Sequence, residues 1–290
     1  MYVQFAQIEP TTRCNYTCGF CAGRHMAQQD ISLETFKRFI DQTEGLRHLE
    51  LQGEGEPLIH PHFFDMVRYA REKFPKVQVS MISNGSLFNK ENIDKILLHD
   101  ITRIFVSMES ADDNRFQRIR GGKLERVRRG IRNLLITRNK KGAKAPVLGL
   151  AVTLLKSTVN EPTEAIQQFY NDLGLDGGIM MQPLQRMPQY TRFYPEEMIR
   201  ELPDQEDIVR LNESIMCSPS FQCAMQQRGQ QPGFYENLYG SVNTNFECPW
   251  LANGIYVSTQ GQLLPCCQIK DYATHALSEL DSSSDTVPVS

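Results

Sequence analysis

The eight cysteines of this 290-residue chain stand in two groups. Cys14, Cys18 and Cys21 lie near the start. Cys217, Cys223, Cys248, Cys266 and Cys267 lie near the end, and residues 22–216 contain none. Thiolates are preferred ligands of zinc and of iron–sulfur clusters. The opening residues "MYVQFAQIEP" lack the basic region and long apolar run of a secretion signal. Grouped thiols without such a signal point to metal binding or redox work ahead of disulfides, and to a cytoplasmic location. A structural zinc site takes four ligands, and His25 is available as the fourth. A cubic 4Fe–4S cluster held by three thiols instead leaves one iron open to a small molecule, as the open position of a catalytic metal is.

The first three thiols directly follow a short strand-like run, "YVQFAQIE". From there to about residue 182 the sequence alternates strands and helices. The helices read as "SLETFKRFIDQTE", with Ser32 as a plausible cap, then "HFFDMVRYAREKF", "KENIDKILLH", "LERVRRGIRNLLITRN" and "EPTEAIQQFYNDLG", with Pro162 in its first turn. Between them lie the strands "RHLELQ", "VQVSMIS", "TRIFVSME", "VLGLAVTLL" and "GGIMMQPL". Six β/α repeats favour a parallel sheet covered by helices, wound open or bent into an incomplete barrel. Either places function at the C-terminal ends of the strands, where the thiols fall. Residues 196–216 read as helical and 217–247 as a long loop. "GIYVSTQGQLLPCC" reads as a hairpin turning near Gln260–Gly261, and the polar tail from Ser278 as disordered. The expected division is a core over 1–185, an extension over 186–277 and a tail over 278–290.

Hydrophobic residues at 40%, charged residues at 22% and a net charge of −3 describe an ordinary globular chain. That charge gives no reason to expect nucleic acid or an anionic membrane as partner. No run of about 18 apolar residues is present to span a bilayer.

The spacing Cys14-Asn-Tyr-Thr-Cys18-Gly-Phe-Cys21 resembles the C-x3-C-x2-C signature of the radical S-adenosylmethionine (SAM) superfamily, in which the aromatic position is filled here by Phe20. The resemblance continues in "LQGEGEPLIHP", similar to the family's Gly-Gly-Glu-Pro turn, with Gly53, Gly55, Glu56 and Pro57 in place and Glu54 inserted between the glycines. In the family that turn holds the methionine end of the cofactor, and glycine permits the close backbone approach. "MISNGSLF" and "IFVSMES" resemble the third and fourth strands and offer Ser83, Asn84, Ser107 and Glu109 as cofactor-binding candidates. Ser107 and Glu109 alternate to one side of their strand, while a turn or cap role is the ordinary reading for such strand-end residues. The resemblance covers roughly residues 3–182 and implies an incomplete (βα)6 TIM-like barrel. It implies a 4Fe–4S cluster on Cys14, Cys18 and Cys21 and S-adenosylmethionine on the open iron. Reductive cleavage would then give a 5′-deoxyadenosyl radical for hydrogen abstraction, with the electron from a reductant such as a flavodoxin or ferredoxin.

The second thiol group also carries a resemblance. Cys248 and Cys266 flank the hairpin in "CPWLANGIYVSTQGQLLPC", similar to the C-x(9–15)-G-x4-C opening of the SPASM/twitch extension. That extension binds auxiliary iron–sulfur clusters. Five thiols suffice for one auxiliary cluster, with Cys248 and Cys266 as ligands and Cys217, Cys223 and Cys267 competing for two further places. Cys217 and Cys223 are favoured, because Cys266 and Cys267 are neighbours. Inert buried thiols or a zinc site are the plainer readings.

The resemblance to radical enzymes with such an extension implies oxidative modification or maturation of a peptide or protein substrate. A dehydrogenase of a small hydroxylated metabolite is the alternative. A non-catalytic zinc or electron-transfer protein is the reading from another class. Residues 115–144 hold twelve Lys or Arg and one acidic residue, Glu125. They could receive an acidic partner, or form the solvated face of a helix whose stripe is Val127, Ile131, Leu134 and Leu135. His60 and His62 read as capping or surface residues.

Overall fold

Short apolar strands and one-sided helices alternate as their spacing predicts. In order they are β1 (Phe5–Ile8), α1 (Leu33–Gln42), β2 (His48–Leu51), α2 (Phe63–Lys73), β3 (Gln78–Ser83), α3 (Lys90–Leu98), β4 (Arg103–Ser107), α4 (Asp113–Arg120), α5 (Leu124–Lys140), β5 (Val147–Leu154), α6 (Ala165–Leu173) and β6 (Ile179–Pro183). The computed structural model describes residues 1–227, 250, 253–269 and 272–280. Two compact units divide it. The first comprises Met1–Asn15, Ala22–Met81 and Gly233–Ser290; the second comprises Tyr16–Cys21 and Ile82–Pro232. This division interleaves along the chain and differs from the boundary expected near residue 185.

In the first unit the strand order is β3-β2-β1-β7-β8-β9, with β7 (Gly254–Val257), β8 (Gln262–Leu264) and β9 (Ser278–Glu279) supplied by the C-terminal segment. β1 pairs parallel with β2 on one side, Gln7 opposite Glu50, and parallel with β7 on the other, Gln7 opposite Tyr256. The expected hairpin is therefore present as β7–β8, antiparallel, with Gly261 at φ 81° in its turn. It also lengthens the parallel sheet beyond β1, which its sequence does not foretell. Ser32 caps α1 as expected, its hydroxyl accepting from the Thr35 N–H at 3.0 Å. Phe36, Phe39 and Ile40 form the buried stripe of that helix.

The second unit orders its strands β6-β5-β4, all parallel. It adds α7 (Pro188–Thr191), α8 (Glu196–Ile199), α9 (Gln205–Cys217) and α10 (Pro219–Gln227). Four readings of the sequence are corrected here. α4 escaped notice because only Phe116 and Ile119 interrupt its polar run; Asp112 caps it by accepting from the Arg115 N–H at 2.8 Å. Pro162 lies in a 3-10 turn, Glu161–Thr163, ahead of α6 and not within it. Residues Pro219–Gln227, read as loop, are helical because Phe221 and Ala224 share one buried face. Ser278 and Glu279, read as the start of a disordered tail, pair with β8.

The basic run resolves into the helical reading. Val127, Ile131, Leu134 and Leu135 are the buried face of α5. Several of its cations are committed within the unit: Arg138 to Asp176 at 2.8 Å, Arg128 to Glu125 at 3.3 Å, and Arg126 Nε to the Ser86 carbonyl at 2.8 Å. Among the described residues no helix is long and apolar enough to cross a membrane.

Candidate cluster and cofactor site

Within the first unit, β1 ends at Ile8 and the chain runs at once into the buried carboxylate Glu9. Glu9 Oε1 accepts from the Glu54 N–H at 2.8 Å, and Oε2 from the Tyr272 hydroxyl at 3.3 Å. Tyr272 in turn lies 3.1 Å, oxygen to oxygen, from Tyr256. Burial, and then the negative charge of Glu9, raise the Tyr256 phenol well above its ordinary value, so it stays protonated. Glu9 thus anchors the glycine turn that follows β2 to the end of β1. The loop from Thr11 to Arg13 completes the attachment. Gly55 N–H donates to the Thr11 carbonyl at 3.1 Å and Glu56 N–H to the Arg13 carbonyl at 2.9 Å.

This contact explains the glycines more fully than their sequence does. A Cβ on Gly55 would lie 2.4 Å from both the Thr11 and Arg13 carbonyl oxygens, and one on Gly53 would lie 2.2 Å from Glu9 Cγ. The close approach is at least partly to this chain's own backbone and not to a ligand alone. Gly55→Ala must separate the turn from the loop that carries Cys14. We expect a loss of about 3 kcal/mol, the upper range for a single substitution, read as a lowered melting temperature together with reduced iron uptake. Glu56 is buried and its carboxylate accepts from the Leu58 N–H at 3.3 Å, capping the 3-10 turn Pro57–Ile59. Glu54, the inserted residue, sends its carboxylate to the Gly23 N–H at 3.2 Å, just past the last thiol of the motif.

Cys14 is exposed and belongs to the first unit; Cys18, buried, and Cys21, half-buried, belong to the second. In the second unit the loop is held to the end of α4. Thr17 N–H donates to the Arg120 carbonyl at 3.0 Å and Gly19 N–H to the Ile119 carbonyl at 3.3 Å. Gly122 is needed there, since a Cβ would stand 2.1 Å from the Tyr16 ring. Arg120 turns inward and clasps Glu109 with two hydrogen bonds, Nη2 to Oε1 at 2.7 Å and Nε to Oε2. Its remaining Nη1 lies 3.8 Å from Cys18 Sγ. Phe20 and Phe116 rings lie 6.0 Å from the guanidinium carbon. Phe20 and Glu109, both anticipated, are therefore gathered beside Cys18. Arg120 was hidden among the arginines of a basic run, and Glu9 was a single acidic residue after a strand. An Arg directly before Gly121–Gly122 was the available signal.

The other candidates are placed as follows. Ser83 Oγ accepts from the Gly85 N–H at 3.0 Å and Asn84 Oδ1 from the Ser86 N–H at 2.9 Å, so both shape the turn after β3. Ser107 ends β4, partly buried. His60 is buried with its pKa lowered by desolvation. Its Nδ1 accepts from the His62 N–H and its Nε2–H donates to the Ile31 carbonyl, a structural role. Cys266 and Cys267, both half-buried, pack in the first unit against Phe5, Trp250, Tyr256, Leu264 and Tyr272. Cys217 and Cys223 are exposed on α9 and α10 of the second unit. Cys248 lies outside the described residues.

The sequence profile of the radical SAM superfamily matches residues 8–167, a span that holds the three-thiol motif, the glycine turn and strands β2 to β5. The chain belongs to the radical SAM superfamily. Its curated relatives include the tungsten-containing aldehyde ferredoxin oxidoreductase cofactor-modifying protein of Pyrococcus furiosus, 25% identical over 193 residues, covering 64% of this chain and 53% of that protein. The AdoMet-dependent heme synthase of Methanosarcina barkeri is 22% identical over 271 residues, covering 89% of this chain and 75% of that protein. Among solved structures, anSMEcpe with bound AdoMet and a Cp18Cys peptide superposes with a TM-score of 0.69 at 14% identity, covering 96% of this chain and 78% of that one. The chain spans about half the length of the first of these relatives. The shared fold is the incomplete (βα)6 barrel expected from the sequence.

A radical SAM chain takes a 4Fe–4S cluster and S-adenosylmethionine as its cofactors. The donor set suits the cluster: three soft thiolates, one of them buried with a guanidinium at its sulfur. Among the described residues no three His, Cys, Asp or Glu side chains gather as one metal ion requires. A cubane makes a different demand, one thiolate on each of several irons.

Proposed function

We propose that this radical SAM enzyme oxidatively modifies a peptide or protein substrate, using Cys14, Cys18 and Cys21 as cluster ligands. The observation that carries the first part is the superfamily match across the three-thiol motif. The substrate class is supported by anSMEcpe, whose solved complex holds a peptide and whose fold covers 96% of this chain. When bound, the reduced cluster and S-adenosylmethionine supply a 5′-deoxyadenosyl radical that removes a hydrogen atom from the substrate. The protein's part is positioning. Glu9 and the Thr11–Arg13 backbone fix the glycine turn, and the end of α4 fixes Thr17 to Gly19. An auxiliary cluster on Cys248 and Cys266, with two of Cys217, Cys223 and Cys267, would accept the electron left on the substrate. A low-potential flavodoxin or ferredoxin would supply the first electron.

A second reading, a small-molecule substrate, draws on the heme synthase relative, whose match covers 89% of this chain. The two separate cleanly by isotope transfer. Extract from cells grown in D2O is divided by dialysis and offered to the reconstituted enzyme with dithionite and S-adenosylmethionine. Deuterium in 5′-deoxyadenosine from the retained fraction supports a peptide or protein. Deuterium only from the dialysable fraction, and undiminished after that fraction is digested with peptidases, overturns it in favour of a metabolite. No 5′-deoxyadenosine from either would remove the enzymatic reading itself.

A further inference from the structure

The arrangement around Cys18 suggests more than support for a loop. Arg120 is the last residue of α4 and only 6% exposed, while Cys18 is 7% exposed. The guanidinium divides its donors. Nε and Nη2 face the Glu109 carboxylate, itself 1% exposed, and Nη1 faces the Cys18 sulfur at 3.8 Å. A planar fork clasped at two points cannot rotate away from its third contact without breaking both bonds. The two backbone hydrogen bonds from Thr17 and Gly19 hold the sulfur's own loop to the same helix end. The contact is thus fixed from both sides.

We propose that Arg120 and Glu109 form a charge pair that sets the reduction potential of the cluster ligated by Cys18, the guanidinium raising it and the carboxylate limiting that rise. This rests on the reading of Cys18 as a cluster ligand. The physical basis is direct. Reduction adds one negative charge to the cluster, and that charge is stabilised by hydrogen bonds and positive charge at the ligating sulfurs. Arginine stays charged at any working pH. In a buried setting its field is weakly screened. Glu109 sits on the far edge of the guanidinium and opposes that field, while supplying the grip that aims it. Arg120 and Glu109 are positioning and tuning residues; neither exchanges atoms with a substrate.

The pair makes a prediction of sign that a merely structural role does not. Arg120→Gln removes the cation and is expected to lower the potential, with about a tenfold smaller ratio of reduced to oxidised cluster at a fixed applied potential, which is about 59 mV for one electron. Glu109→Gln keeps the cation, relieves the opposing charge and is expected to raise the potential. The measurement is an EPR-monitored redox titration of reconstituted full-length protein without S-adenosylmethionine. That nucleotide is added at the end, so that the component whose signal changes is identified as the cluster in question. Circular dichroism and iron content accompany each variant, and Arg120→Lys, which retains charge without the fork, should fall between wild type and Arg120→Gln.

Opposite shifts support the proposal. Shifts of both variants in one direction would show that they only loosen the loop, and would overturn it. Unshifted potentials with weakened nucleotide binding would place the guanidinium on the nucleotide, and would overturn it as well. A wild-type protein that shows no nucleotide-sensitive cluster would instead defeat the underlying reading of Cys18, a failure visible before any variant is compared.

Discussion

Cys18→Ala protein, reconstituted anaerobically, will form 5′-deoxyadenosine at a rate lower than wild type by more than about a hundredfold. Losing an outer hydrogen-bond partner of a metal ligand typically costs 10–100-fold, and removal of the ligand itself should exceed that. The fold should survive the change. The loop around Cys18 is held by backbone bonds, Thr17 to Arg120 and Gly19 to Ile119, that do not involve the thiol. Cys18 fills little volume, and alanine keeps its Cβ. The loss should therefore appear as missing iron and sulfide, about four of each per chain, with the circular dichroism spectrum retained. A variant that kept normal turnover would remove Cys18 from the cluster.

The second large effect concerns Glu50 in the middle of β2. It is 2% exposed, and among the described residues its Oε2 has no hydrogen-bond partner. Burial pushes its carboxyl from 4.5 up to about 8. Because the folded value lies above the unfolded one, the folded state holds a proton that the unfolded state has released between about pH 4.5 and 8. Its contribution is complete below pH 4.5, declines through that window and is lost above pH 8. A separation of this size corresponds to roughly 5 kcal/mol as an order of magnitude. Glu50→Gln has no such proton to lose. It should match wild type near pH 4.5 and exceed it by several kcal/mol above pH 8. Denaturant unfolding of both proteins at the two pH values measures the difference, and a gap that does not change with pH would refute the assignment.

The parts of the site that could be read from sequence are those fixed by chemistry at short range. Three thiols at fixed spacing and a glycine-rich turn after the second strand are local patterns, and the comparison with known families bears out the superfamily they resemble. The six β/α repeats were legible because each helix and strand writes its own period into the chain. What stayed hidden depends on orientation or on distance along the chain. Arg120 differs from Arg118 only in which way it faces: it is buried and Arg118 is exposed. His48 and Glu50 share one face of β2, with Leu49 and Leu51 on the other, yet the alternation says nothing of which polar group will be left without solvent. The pairing of β1 with β7 is parallel and has no turn to announce it.

That last pairing bears on how the molecule assembles as it is made. β1 leaves the ribosome long before its neighbour on one side, β7, which begins only at Gly254. Until then one row of β1 amide and carbonyl groups has no strand to meet, an open template of the kind that invites pairing with foreign chains. Closing so distant a contact is intrinsically slow. The much later strand β7 therefore governs when this edge of β1 ceases to be adhesive, whatever chemistry the thiols that follow it also serve.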